Sequence, residues 1–359
     1  MKSKRETNYE LLRIVSMVMI TVLHYMSHGG MLTPWHEGAA AMTVPNAAAW
    51  GLEAICLPGM SCFIMLSGYF LKPEKWRASR IVELILQCLF YSLTIPLIAV
   101  LTGAVSVAGI DRYDILNWCF PIGSECWWFM SSYIILYALS PLLSAGAEKM
   151  SKTNLRWLIL CMVFFESAEK TILPVVLPTD RFGYDPLWMV TMFLVARYIK
   201  LYGAEFLDKK VVPVITYILS CAGMFAMSFI TGRIAAGGVE GLVRYSEMPY
   251  TCNYFLTMFA SISLFCIFRH IRIEDGLFSR IVLFISPLLL GAYLVHEHPL
   301  IRGLWPGWFF ADRVRGSMIF APVTIAGALT VLIVGCAYEW IRSGVAGIIK
   351  KRSVNKHTG

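Results

Sequence analysis

Runs of about twenty mostly apolar residues recur along this chain, and most of its basic residues fall between them. A helix of that length crosses the hydrocarbon core of a bilayer. Ten such runs are predicted: Tyr9–Ser27, Ala47–Leu71, Ile81–Thr102, Trp127–Leu143, Leu155–Leu173, Pro186–Arg197, Val211–Thr231, Asn253–Phe268, Ile281–Ile301 and Met318–Ile341. The fifth carries Glu166, Glu169 and Lys170, and the sixth is short. Of the 359 residues, 57% are apolar and only 15% are charged. Soluble domains carry about 25% charged residues, so much of this apolar surface must face lipid. The expected fold is an all-α polytopic membrane helical bundle of about ten transmembrane helices.

The basic residues orient it. With the N-terminus placed inside, 23 of the 31 Lys and Arg fall in inside segments. The outside segments hold only Arg112, Lys170, Arg181, Arg233, Arg244, Arg302, Arg313 and Arg315. The positive-inside rule then puts both termini in the cytoplasm. Arg13 interrupts the start of the first run, and Ala39-Ala40-Ala41 lie well beyond its end, so this is a retained span rather than a cleaved signal. The net charge of +8 is spread between apolar runs instead of gathering on one module, which argues against a nucleic-acid partner. The ten cysteines are scattered, mostly inside apolar runs, with no CxxC pair, and read as packing residues. Cys119 and Cys126 share an outer loop in which a disulfide is open to them.

Ionisable groups inside spans are costly and point to function. Arg13 and His24 are eleven residues apart, about 1100° of helix, and so share one face with roughly 16 Å between them. Alone, Arg13 reads as a snorkelling anchor and His24 as a packed histidine; the shared face is what lifts both. Arg77 and Arg80, spaced i, i+3, project together at the cytoplasmic edge, where paired guanidiniums suit phosphates as well as lipid headgroups. His296 and Glu297 lie near the outer face, with Glu53 and Glu125 at similar depth. His28 and His36 read as solvated loop residues. His24, His296 and His298 lack a local ligand signature, and no metal is expected. There is no GxSxG elbow, Walker loop or GxGxxG, and Ser67-Gly68 reads as a helix packing contact.

Taken in order, these pieces resemble the acyltransferase-3 family of bacterial integral membrane acyltransferases. Arg13 and His24 fit its Arg–ten residues–His element. Cys62 to Phe70 looks like its Phe-x-x-x-Ser-Gly-Tyr segment, with Cys62 where an aromatic is frequent. Arg77-Ala-Ser-Arg80 fits its Arg-x-x-Arg element. Trp127 to Met130, then Leu139-Ser-Pro-Leu142, resemble its Trp-Phe-Leu and Ser-Pro-Leu region. Tyr293-Leu-Val-His296 is similar to its late Tyr-Leu-x-His segment. The resemblance covers about Asn8 to Ile341, and the stand-alone type, without an extracytoplasmic hydrolase-like domain, is expected. Residues 1–345 would form the transmembrane domain and 346–359 a basic cytoplasmic tail.

The resemblance implies transfer of an acyl group, usually acetyl, from cytoplasmic acetyl-CoA as donor co-substrate. The acceptor would be a hydroxyl of an exopolysaccharide, cell-wall or lipid-linked sugar at the inner (plasma) membrane. Arg13, Arg77 and Arg80 would bind the coenzyme A phosphates. His24 would act as general base, with Glu125 and His296 completing the catalytic set and Glu53 or Glu297 as other carboxylates able to orient the ring. A multi-pass secondary transporter is the alternative. Two related halves with broken helices, frequent in transporters, are not seen. Oligomeric state is not encoded in any recognisable signal.

Overall fold

The computed structural model describes residues 5–173 and 178–357, with side chains up to residue 347. Among these residues the regular structure is all helical, without strands. Lys2, Lys4, Lys350, Lys351, Arg352 and Lys356, which contribute to the inside charge and the predicted tail, lie outside the described side chains.

The helix α1 (Thr7–His28) is followed by α2 (Val44–Cys56) and α3 (Gly59–Phe70), one membrane segment interrupted at Leu57-Pro58. Thr43 caps α2 by accepting from the Asn46 N–H, the usual role of a hydroxyl at a helix start. Next come α4 (Ala78–Leu101), the short α5 (Arg112–Cys119) and α6 (Trp128–Lys149). Then α7 (Lys152–Val163) passes through one π turn (Phe164–Ala168) into α8 (Glu169–Ile172), and α9 (Pro186–Tyr202) follows. Asp185 caps α9 on the Trp188 N–H, with Pro186 in its first turn, a position where the missing N–H costs nothing. The remaining helices are α10 (Val212–Ala236), α11 (Val243–Glu247), α12 (Phe255–His270), α13 (Leu277–Ile285), α14 (Leu289–His296), α15 (Trp305–Trp308), α16 (Ala311–Val314) and α17 (Phe320–His357).

Eight stretches of the described chain are long and apolar enough to cross a membrane: Thr7–His28, Val44–Phe70, Ala78–Leu101, Trp128–Lys149, Val212–Ala236, Glu240–His270, Leu277–His296 and Phe320–Gly347. They match eight of the ten predicted runs. The fifth predicted run, now α7 through α8, and the sixth, now α9, do not qualify. The first of these is too charged, and α9 has only 17 residues. Both nevertheless run between the two ends of the bundle. Lys152 at the start of α7 meets Glu205, while Lys170 in α8 meets Asp180 and Asn253 at the other end.

The predicted inside segments gather at one end. There Thr7 bonds Ser279, Asn8 donates to the Phe268 carbonyl, and Lys200 sits 4.2 Å from the centre of the Tyr69 ring. Arg197 pairs with Glu148 and donates to the Leu71 carbonyl, and Arg269 pairs with Asp208.

Helix α1 runs through the middle, touching α2, α3, α12, α13, α14 and α17. Small residues permit this. A Cβ on Gly59 would meet the Ser16 carbonyl of α1 at 3.0 Å, and one on Gly68 would meet the Phe193 carbonyl of α9 at 2.4 Å. Ser67-Gly68 is thus a close packing contact, as its composition predicts. All ten cysteines are free thiols, and Cys119 is exposed while Cys126 is buried, so the outer-loop disulfide does not form.

Candidate active site

A cavity of about 750 Å³ runs along α1 from one end of the bundle towards the other. Its volume falls in the range usual for small-molecule sites, about 300–1,000 Å³. Arg13 and His24 both line it, as their shared helix face requires. At the basic end it is walled by Arg5, Arg13, Arg80 and Arg342. At the other end stand His24, His28, Glu53 and Glu297, and between them lie apolar and aromatic groups such as Met17, Ile20, Phe63 and Tyr133.

The imidazole end is organised by hydrogen bonds. His296 is fully buried at the end of α14, with Nδ1 2.8 Å from the Ala292 carbonyl oxygen. A carbonyl only accepts, so Nδ1 carries the proton and Nε2 is left as an acceptor. That Nε2 lies 3.0 Å from His24 Nδ1, and Glu297 Oε2 lies 3.0 Å from the same nitrogen. Both neighbours accept, so His24 holds its proton on Nδ1. Its Nε2 is therefore the basic nitrogen, on a ring that faces the cavity. Glu297 also meets His28 Nε2 at 3.1 Å and Arg302 at 3.6 Å, so this buried carboxylate sits among imidazoles and one guanidinium.

Not all of the sequence-predicted site residues join this cluster. Glu125 does not reach the imidazoles. It is exposed, with a left-handed backbone (φ 52°), and pairs with Arg181 through two contacts of 2.8 Å. The carboxylate at His24 is Glu297, and its adjacency to His296 in the sequence was the available signal. His28 is not a loop residue. It occupies the last turn of α1, four residues beyond His24 and so on the same face. His298 turns away, buried against Trp127 with ring centres 5.6 Å apart.

At the basic end, Arg80 lines the cavity but Arg77 does not; it is exposed. The segment before α4 is held by an indirect device. Pro141 inside α6 cannot donate to the Tyr137 carbonyl. That carbonyl instead accepts from the Trp76 indole N–H at 3.0 Å and the Ser140 hydroxyl at 2.8 Å, while the Tyr137 hydroxyl takes the Arg77 backbone N–H at 3.3 Å. The Ser-Pro-Leu element thus docks the Arg-x-x-Arg element. Among the described residues Arg80 pairs with the exposed Glu83, at 3.0 Å; such a pair is worth about 0.2–1 kcal/mol, weak enough for a phosphate to displace. Arg13 lies 3.7 Å from Glu10. Arg342 is forked onto Glu339, which is itself held by Tyr91 and Gln87. Arg5 and Arg342 also line the cavity, although nothing local in the sequence sets them apart from other inside cations.

Ligand atoms of His24, His296 and Glu297 all lie within 4.8 Å of one another, close enough to hold a metal ion. The same atoms are satisfied by shared protons in the network just described. Chelation separates the two arrangements. Acyl transfer by the purified protein is expected to survive dialysis against EDTA, and loss of activity restored by a divalent metal would assign these groups as ligands.

The bundle and its cavity define a multi-pass helical membrane protein with a cationic pocket linked to a hydrogen-bonded imidazole. A family model described as an acyltransferase domain matches residues 6–340, and the chain belongs to this acyltransferase-3 family of membrane acyltransferases. No curated protein and no solved structure matches the chain. Nothing here supports the transporter alternative.

Proposed function

We propose that this protein moves an acyl group, acetyl in the simplest case, from cytoplasmic acyl-CoA to a hydroxyl of a surface polysaccharide, cell-wall or lipid-linked sugar at the plasma membrane. The observation that supports this is the single cavity joining four arginines at one end to His24 at the other. The positive-inside rule makes the arginine end cytoplasmic. Coenzyme A carries its phosphates there, where guanidinium forks grip them, and its thioester arm extends along α1 towards His24.

The chemistry follows from the tautomer. His24 Nε2 removes the acceptor's hydroxyl proton as the oxygen attacks the thioester carbonyl. The tetrahedral centre collapses, the C–S bond breaks, and the imidazolium returns its proton to the leaving sulfur. Glu297 faces the ring from behind and stabilises the imidazolium while it exists, as carboxylates do for catalytic histidines generally. An imidazole suits both halves of this exchange because it accepts a proton through one nitrogen and returns it from the same one.

The test is kinetic. The purified protein should turn over acetyl-CoA. Arg80→Ala and Arg13→Ala should each raise KM for acetyl-CoA about tenfold or more, the worth of a charge-assisted hydrogen bond, with kcat changed much less. Arg77→Ala should leave KM within about twofold. Unchanged KM in the first two variants would remove the phosphate role, and solute flux without turnover would remove the enzyme reading altogether.

A further inference from the structure

One polar group in the cavity is unaccounted for by acyl-CoA binding or by the imidazole cluster. Glu53 of α2 lines the same cavity as His24. Its Oε2 is buried and has no hydrogen-bond partner among the described residues. It makes no hydrogen bond to His24, whose carboxylate partner is Glu297. Leaving a buried carboxylate oxygen unpaired costs free energy, and a ligand that brings a donor recovers that cost on binding.

The surroundings say what kind of ligand. A carboxyl oxygen such as Oε2 accepts a hydrogen bond whether or not the group is ionised, so a ligand with O–H or N–H groups completes it. Trp128 and Tyr184 line the same cavity and pack edge to face, ring centres 4.8 Å apart. Their surfaces offer an apolar wall suited to the flat, C–H-bearing face of a sugar ring. The anionic donor is drawn to the arginines at the opposite end of the cavity, which leaves the Glu53 end to the acceptor. The guanidiniums at one end of the cavity and the carboxyl at the other therefore sort the two substrates.

We infer that Glu53 is the acceptor-binding residue. It accepts a hydrogen bond from a pyranose hydroxyl neighbouring the one that is acylated, with the ring against Trp128 and the reactive hydroxyl directed at His24 Nε2. This rests on the acyl-transfer reading above and adds the residue by which the acceptor is recognised. It also gives Glu53 a role separable from the chemistry, since water attacking the thioester does not need it.

The experiment uses the full-length protein in detergent or nanodiscs. Two rates are measured: acetyl-CoA hydrolysis without added sugar, and transfer to a panel of p-nitrophenyl hexopyranosides and their monodeoxy analogues. In Glu53→Gln, KM for the best pyranoside should rise about 10- to 100-fold, while KM for acetyl-CoA and the hydrolysis rate stay within about twofold. Glu53→Asp should recover part of the loss. The deoxy analogue lacking the neighbouring hydroxyl should lose a similar factor with the parent protein and little more with Glu53→Gln, because the two changes remove one interaction. Unchanged acceptor kinetics in Glu53→Gln would overturn the assignment, as would hydrolysis and transfer falling together in a variant that keeps its melting temperature. A parent protein that hydrolyses acetyl-CoA but acylates no pyranoside would overturn the sugar class while leaving acyl transfer standing. A parent protein inert towards acetyl-CoA would end both.

Discussion

His24→Ala is expected to abolish acetylation of the surface glycan and to cut acetyl-CoA-dependent transfer by the purified protein about 10²–10⁴-fold, the usual contribution of a positioned general base. The protein should still accumulate in membranes. His24 is a partly exposed ring on a cavity wall, so its removal opens no sealed core void. Glu297 keeps His28 and Arg302 as partners. The main folding cost is the lone pair on His296 Nε2, left without its donor, about 1–3 kcal/mol. Immunoblotting of membranes beside glycan acetyl content separates the two effects. Normal acetylation at normal protein level would remove His24 as the base. The same nitrogen, Nε2, would serve if the ring were acylated directly, and kinetics distinguish the routes: a covalent intermediate gives ping-pong behaviour, while direct transfer requires both substrates together. In either route activity should fall on acidification, as Nε2 takes a proton and loses its lone pair.

How much of this was legible in the sequence depended on whether the information was local. Helix phase is local, so Arg13 and His24 could be placed on one face from their spacing, and both line the cavity. His28, four residues on, obeys the same rule. It reads as a loop residue in the sequence because the apolar run ends at Ser27, one residue short of the helix end. The eight apolar spans were legible because length and hydropathy alone define them. α7 through α9 were harder, since Glu166 and Lys170 are buried beside partners from other segments, Thr191 for the first and Asp180 and Asn253 for the second.

Cross-helix pairing was not legible. Glu125 and Glu297 both lie near the outer ends of spans, and depth could not say which one faces His24. The answer lies in azimuth. Glu297 follows the last residue of α14, which packs on α1, whereas Glu125 sits in a turn that directs it to Arg181. The same applies to Arg77 and Arg80. Their spacing predicts a common direction on a helix, but Arg77 is the extended N-cap residue of α4, with φ −142° and ψ 124°, so it leaves the helical phase and only Arg80 reaches the cavity.

Glu297→Gln tests the part of the site that depth could not assign, and its expected loss is about 10²-fold in kcat, with KM for acetyl-CoA little changed. Two effects set the size. The amide removes the charge that stabilises the His24 imidazolium as the proton transfers, in a buried setting where a charge counts for more than in water. It also offers an N–H that could compete for the wrong tautomer of His24. The second effect is held in check by His296, whose Nε2 still accepts from His24 Nδ1 because its own proton is committed to the Ala292 carbonyl. Removing that safeguard as well, in Glu297→Gln with His296→Ala, should bring the loss to the level of His24→Ala. Adding the double variant to His24→Ala should cost little further, since groups that act through one ring are not additive. The effect belongs in kcat because Glu297 lies at the far end of the cavity from the arginines, and its partner Arg302 does not line that cavity. A Glu297→Gln protein with the parent's kcat would show that the carboxylate merely neutralises His28 and Arg302, and that His24 draws its basicity from His296 alone.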